Sequence, residues 1–470
     1  MQPATIDERR DLRRNNLPLP SERRPWIERF LRSKWTWIVL ALLLVEAAAL
    51  IAVGFQMVPD RPVPGGVTYG TGIEAVGPAT KYALITVIPL SLLFLWADRF
   101  RPQSFWVWLI TFGWGGTIAV WASFNINTFA AEYMSIVGPG DPRAASRAAT
   151  FIAPFVEEAM KGVVLFLVAI VLRYRIVSKL SGIALGGLVG ASFAFVENIY
   201  YYASTYRAAS NTSGAGDPDE RLAEIFQLRG ILTFFGHPLF TSMIGIGIAV
   251  ALRSKSKLVR VLAPVTGFLV AALLHMLFNG TASMGLPTNV QLLLLLFVAY
   301  PMVISLVIFT IRQLIVEKRL IRARLTDYAR MGWLPDTDAH WASRLTTRVR
   351  VLWQALWEGR LLSTWRLQRA LTELAYLRDS MARGLVDDGG MVREKELFAR
   401  IRGLRQRGFV APRERTSYPW TRRGRRTPDP TWAPPAQISQ GDPRVPSGVP
   451  LGSGGTTYSP VDPRWAPPGT

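Results

Sequence analysis

Eight apolar runs between residues 35 and 311 decide what this chain can fold into. Their limits lie near 35–57, 80–97, 105–126, 148–172, 181–203, 230–252, 259–279 and 290–311. Each approaches the roughly 20 residues that carry a helix across the hydrocarbon of a bilayer. Backbone groups in lipid must be satisfied within the span, so runs of this length are helices. The expected fold class is therefore all-α, a polytopic membrane protein with about eight transmembrane helices. Half of the 470 residues are hydrophobic, yet the formal charge is +21. Both can hold only if the two kinds of residue are segregated, and most of the Arg does lie outside the apolar block.

The loops give an orientation. Those after runs two, four and six are short and basic, with Arg99 and Arg101, then Arg173, Arg175 and Lys179, then Arg253, Lys255, Lys257 and Arg260. Those after runs one, three and five are longer and carry Glu132, Asp141, Asp217, Asp219 and Glu220. Basic loops stay cytoplasmic, which puts both termini in the cytoplasm of a multi-pass cell-membrane protein. Four regions follow: a basic, disordered arm over 1–34, an eight-span domain over 35–311, a basic cytoplasmic helical region over 312–410, and a disordered Pro/Gly/Arg-rich tail over 411–470. The arm is too polar and the first run too long for a cleaved signal peptide. The basic termini are expected to touch anionic lipid, and no nucleic-acid partner is expected. In the tail, Trp432-Ala433-Pro434-Pro435 recurs as Trp465-Ala466-Pro467-Pro468, which is either low-complexity linker or a docking motif for a partner domain.

Ionisable residues inside spans mark function by default. Run four holds Glu157, Glu158 and Lys161. Run five holds Phe193, Glu197 and Asn198, with Tyr201 a turn further. Run six holds His237 and Thr241, and run seven His275 and Asn279. Residues four apart share a helix face, so each span presents a compact polar patch. With the loop-derived orientation and a rise of 1.5 Å per residue, all four patches fall in the outer half of the bilayer, roughly 6–15 Å deep. Any one of them alone reads better as interhelical hydrogen-bonding glue. Glue, however, does not require two adjacent carboxylates, nor four patches at one depth. Glu46, alone in run one, reads as a residue that snorkels, pairs with another helix or packs in its protonated form, rather than as part of a site.

Two carboxylates, two imidazoles, an amide and a hydroxyl at one level suit the activation of water and the stabilisation of an oxyanion. The absence of cysteine excludes thiolate zinc sites, iron–sulfur clusters and cysteine nucleophiles. No His-Glu-x-x-His helix occurs, and the spans hold no Asp for an aspartate pair. Ser192 and Ser242 lie near the patches without a nucleophile elbow.

Glu-Glu-x-x-Lys at 157–161, Phe-x-x-x-Glu-Asn at 193–198, His-x-x-x-Thr at 237–241 and His-x-x-x-Asn at 275–279, in this order on successive helices, resemble the PrsW family of intramembrane proteases. That family belongs with the CAAX prenyl protease and bacteriocin-processing group. The resemblance covers residues 80–311. It implies that Glu157, or its neighbour Glu158, activates water with His237, that Lys161 orients and neutralises, and that His275 and Asn279 stabilise the oxyanion. Phe193, Glu197, Asn198 and Thr241 support them. Prenyl proteases commonly have His where Glu197 stands, so prenylated substrates are not implied. This mechanism needs no cofactor. Some members are labelled metalloproteases, and zinc would then fall to Glu157, Glu197, His237 and His275. A PrsW-like substrate is a membrane-anchored protein such as an anti-sigma factor, cut near its extracytoplasmic side. The competing reading is a non-enzymatic transporter, ion pathway or scaffold that uses the same polar cluster.

Overall fold

The computed structural model describes residues 5–15, 17–19, 26–63, 66–137, 144–176, 178–212, 216–283 and 285–406. The Pro-rich tail expected over 411–470 lies outside them. The described residues form two compact units, those within 23–313 and those within 1–22 together with 314–470.

The first unit contains α2 (Trp26–Arg32), α3 (Lys34–Met57), α4 (Ile73–Ala97), α5 (Phe105–Trp114), α6 (Val120–Val137), α7 (Ala144–Arg147), α8 (Ala153–Val171), α9 (Lys179–Asn211), α10 (Pro218–Phe226), α11 (Gly236–Leu252), α12 (Lys257–Ser283), α13 (Thr288–Leu294) and the first part of α14 (Tyr300–Arg330). A two-stranded antiparallel hairpin, β1 (Arg61–Val63) with β2 (Gly66–Thr68), follows α3. Its Asp60 accepts from Arg207 Nη2 at 2.8 Å and from the Gly70 amide at 2.9 Å. The Arg207 guanidinium holds that carboxyl below its ordinary range.

Local chemistry starts these helices where the sequence allows. Ser104 caps α5 and Ser178 caps α9, each hydroxyl accepting the amide three residues on. Asp217 caps α10, with Pro218 in the first turn. Among the described residues, four π-helical stretches interrupt or precede the spans: 115–119, 148–152, 227–232 and 295–299. Such bulges recur at functional sites, and two of these lead directly into α8 and the turn before α11.

Among the described residues, seven helices are long and apolar enough to cross a membrane. The expectation was eight. The remaining helix is α8, which is present, but Glu157, Glu158 and Lys161 put three charged residues inside one 18-residue stretch, where each of the seven has a stretch with no more than two. The chain is an all-α polytopic membrane protein, and α8 is the helix whose charges need company.

The centre of the unit is the α9–α11 pair. About three quarters of each segment is buried, against 17 % for α3 and none for the last span. Small residues bring their backbones together. A Cβ added at Gly182 would stand 2.2 Å from the Gly245 carbonyl oxygen. One at Gly186 would stand 2.5 Å from that of Thr241, and one at Gly190 2.4 Å from that of His237. The groove Gly182-x-x-x-Gly186-x-x-x-Gly190 thus meshes in antiparallel register with Gly245, Thr241 and His237. Close backbone approach of this kind is how helices associate where lipid removes the hydrophobic drive between them.

The second unit contains α1 (Ile6–Arg14), the rest of α14, α15 (Asp336–Ser343), α16 (Leu345–Trp357), α17 (Leu361–Ala382) and α18 (Gly389–Gln406). Tyr328, Trp333 and Phe398 pack as a ring cluster. The Tyr328 hydroxyl donates to the buried Glu394 carboxyl, and Arg393 donates to Glu373 and Glu396, each at 2.6 Å.

Within the arm expected over 1–34, the described residues form α1, α2 and the start of α3. Thr5 and Glu8 form a reciprocal capping box at α1. Leu12 is fully buried, Asn15 hydrogen-bonds Asp387, and a Cβ at Gly389 would stand 2.6 Å from the Asp11 carbonyl oxygen. The arm is basic, but one apolar residue with a socket is enough to dock it.

Candidate active site

Four helices, α8, α9, α11 and α12, bring the polar patches together around Lys161. This ammonium is fully buried. It donates to Glu158 Oε1 at 2.8 Å and to Glu157 Oε2 at 3.4 Å, and it lies 2.9 Å from His237 Nδ1. It also stands 3.8 Å from the centre of the Phe193 ring, which gives the Phe of the second motif a task.

Lysine has no acceptor, so His237 Nδ1 accepts and its proton resides on Nε2. That nitrogen donates to Glu197 Oε2 at 2.8 Å. His275 Nδ1 lies 3.2 Å from Glu158 Oε1 and donates to it. In its neutral form His275 then turns a lone pair, on Nε2, toward Glu157 Oε2 at 3.8 Å. Two acceptors face each other there, so what belongs between them is a donor or a cation.

The adjacent glutamates are not equivalent. Glu158 is sealed, with no exposure and three partners: Lys161, His275 and the Thr241 hydroxyl at 2.8 Å. Glu157 is slightly exposed and its bonds are long, 3.4 Å from Lys161 and 3.4 Å from Asn127 Nδ2. A carboxylate that has not closed its hydrogen bonds is the one free to take another partner.

Asn279 is not brought into this cluster by any bond the structure shows. Its amide donates to the Ala149 carbonyl at 3.0 Å and ties α12 to the π-stretch before α8. Asn198 accepts from Arg229 Nε at 2.8 Å. Ser192 donates to the Val189 carbonyl and Ser242 to that of Pro238, so both hydroxyls are engaged with backbone. Glu46 lies on α3 against Gly113, where a Cβ would stand 2.2 Å from its carboxylate.

Two participants escape sequence reasoning. Asn127, on α6, reaches Glu157, and its own Oδ1 is buried without a hydrogen-bond partner. Ser123 lies four residues before it on the same face, but Asn127 falls just past the expected end of run three at 126, and that run holds no ionisable residue to mark it as functional. Arg229 comes from the π-stretch before α11. It donates to Glu197 at 2.5 Å and to Asn198, and its guanidinium lies 3.9 Å from the centre of the Tyr201 ring. A small cavity of about 30 Å³ opens among Asn198, Arg229, Thr233, His237 and Phe240, large enough for a water.

Glu157, His237 and His275 offer ligand atoms that all lie within 4.8 Å of one another. One carboxylate and two imidazoles are a zinc-type donor set. Each imidazole has its other nitrogen on a carboxylate, as ligating histidines do. The set fits a divalent cation once the Lys161 ammonium leaves His237 Nδ1. Glu197, expected among the ligands, stands outside this group, because Arg229 and His237 Nε2 hold its carboxylate.

Residues 103–308 match the sequence model of a family described as PrsW family intramembrane metalloprotease. No curated protein and no solved structure matches the chain.

Proposed function

Over residues 103–308 the chain belongs to the PrsW family of intramembrane proteases, and from that premise we propose that it cuts membrane-anchored proteins, anti-sigma factors among them, near the extracytoplasmic face. The non-enzymatic reading gives way to a protease. The outer depth of the four patches and the basic loops, which put both termini in the cytoplasm of a cell-membrane protein, support this side.

The reading rests on one observation, the contrast between Glu158, whose hydrogen bonds are closed, and Glu157, which is also buried but whose hydrogen bonds are long. Glu157 is the general base. It takes a proton from water as the water oxygen bonds to the scissile carbonyl carbon, and returns that proton to the amine as the C–N bond breaks. His275 Nε2 accepts the second hydrogen of the water and aims its lone pair at the carbon. Asn127 Nδ2 and Lys161 Nζ, the donors nearest Glu157, meet the developing oxyanion in place of Asn279. Glu158, Thr241, Glu197 and Arg229 hold the imidazoles and the ammonium in place.

The family description and the clustered donor atoms support a second reading, in which Glu157, His237 and His275 hold zinc. A bound zinc would supply an acidified water. Glu157 is then a ligand, and Lys161 has to withdraw from His237.

The test is co-expression with single-span candidate substrates, comparing wild type with Glu157→Gln, Glu158→Gln and His275→Ala. Equal product in all four sinks the protease assignment of these residues. Exhaustive chelation separates the two readings. Activity that survives it removes zinc, and activity lost and restored by added zinc removes the metal-free base.

A further inference from the structure

The second unit carries an apolar face that its own core does not use. On α16, Val349, Trp353, Leu356 and Trp357 follow one another at helical spacing and are 47–76 % exposed. On α17, Leu361, Leu362 and Trp365 continue the patch and are 37–55 % exposed. Trp353 and Trp357 touch edge to face, with ring centroids 5.9 Å apart, so the patch is continuous across a turn. The opposite faces are buried through Val351, Ala355, Leu367 and Leu371. Exposed apolar patches of this kind on a folded unit mark an interaction site.

Charge says what kind. Arg344, Arg350, Arg360 and Arg366 are exposed within and around the stripe, against one exposed acid, Glu358. Indole rings beside guanidinium groups are the composition of a surface that sits at a lipid headgroup layer, with the rings in the interface and the bases on anionic phosphates. The unit begins at Leu314, three residues after the last apolar run ends at 311, so the chain itself keeps a bilayer within reach. By contrast, the basic stripe of Arg319, Arg322 and Arg330 on α14 has no large apolar member and carries no such signature.

We propose that the tip of the α16–α17 hairpin, from Trp353 to Trp365, inserts into the interface of an anionic membrane. The unit is then held to the bilayer at a second point besides the last span. The inference does not depend on the protease reading.

The chain has no cysteine, so a single engineered one reports unambiguously. The full chain carrying Leu361→Cys is labelled with an environment-sensitive fluorophore and reconstituted into phosphatidylcholine–phosphatidylglycerol vesicles. A parallel sample carries Lys395→Cys, an exposed position on α18. The expected result is a blue-shifted label at 361 that loses intensity on acyl-brominated lipid, and a label at 395 that does neither. Trp353→Ser with Trp357→Ser, both exposed and outside the core, should restore the intensity at 361. Omitting phosphatidylglycerol should weaken the quenching. A label at 361 that aqueous iodide quenches as readily as the one at 395 overturns the proposal. So does a label shielded from iodide yet blind to brominated lipid, which would assign the patch to a second copy or another protein. Undiminished quenching in purely zwitterionic vesicles overturns the role given to the arginines.

Discussion

Glu157 and Glu158 differ by one position and point to different consequences. Glu157→Gln should leave the fold intact and lower cleavage by about 10²–10⁴-fold, the range for a lost general base. Glu158→Gln should also lower the stability of the membrane domain, because the amide can no longer accept from Lys161, Thr241 and His275 together. Each unsatisfied buried partner costs about 1–3 kcal/mol. Thermal unfolding in detergent distinguishes them: a midpoint unchanged for Glu157→Gln and depressed for Glu158→Gln is expected, and the reverse order would exchange their roles. Asn127→Ala should reduce the cleavage rate by about 10²–10³-fold, the range for a lost oxyanion donor, while substrate binding is kept. An unchanged rate would return Asn127 to plain packing.

At the scale of elements, the α9–α11 contact fixes where His237 and Thr241 stand. Gly186→Val places side-chain atoms 2.5 Å or less from the Thr241 carbonyl oxygen, and no rotamer avoids a clash of the Cβ itself. The helices must separate, which withdraws Thr241 from Glu158. Loss of cleavage together with a lowered unfolding midpoint is expected. Gly54→Ala on α3, where a Cβ meets nothing within 4 Å, should change neither, and is the control for glycine replacement in a span. Cleavage by Gly186→Val at the wild-type rate would show that the register is not what holds the site.

For the whole molecule, pH acts on the second unit through Glu394. Burial pushes its carboxyl up to about 7, well above its ordinary value of 4.5, against the Tyr328 hydroxyl that donates to it. The unfolded chain releases this proton first. Stability is therefore complete below about pH 4.5 and falls as pH rises through about 7, by about 3 kcal/mol in total. Hydrogen exchange of α18 amides, corrected for its intrinsic pH dependence, should speed up across that interval. It should do so less in Glu394→Gln.

The same scale shows what could be read beforehand. The spans and the polar patches they carry were legible, because hydropathy and helical periodicity act along one segment at a time. Asn127 and Arg229 were not, because Asn127 sits at the end of a span with no ionisable residue on it, and Arg229 reaches the site from a bulge at the start of its run. Asn279 was placed with His275 by spacing, yet its amide found a nearer carbonyl on the π-stretch before α8. The docking of α1 had a local sign in Thr5 and Glu8, but its partners at Asp387 and Gly389 lie about 370 positions further along the chain.

Helices meshed backbone to backbone cannot be lengthened by degrees. One residue inserted between Gly190 and Glu197 would turn everything beyond it by about 100° and advance it by about 1.5 Å. Glu197 would then face away from His237 while the groove itself stayed closed. One residue inserted between Thr241 and Gly245 on the opposing helix would instead break the groove, since Gly245 could no longer face Gly182 while Thr241 faces Gly186. A lineage carrying this pair can accept insertions and deletions in its loops, its hairpin and its second unit, but not along these two helices. Anyone transplanting the site into another bundle inherits that arithmetic, and would have to carry the glycines along with the glutamates.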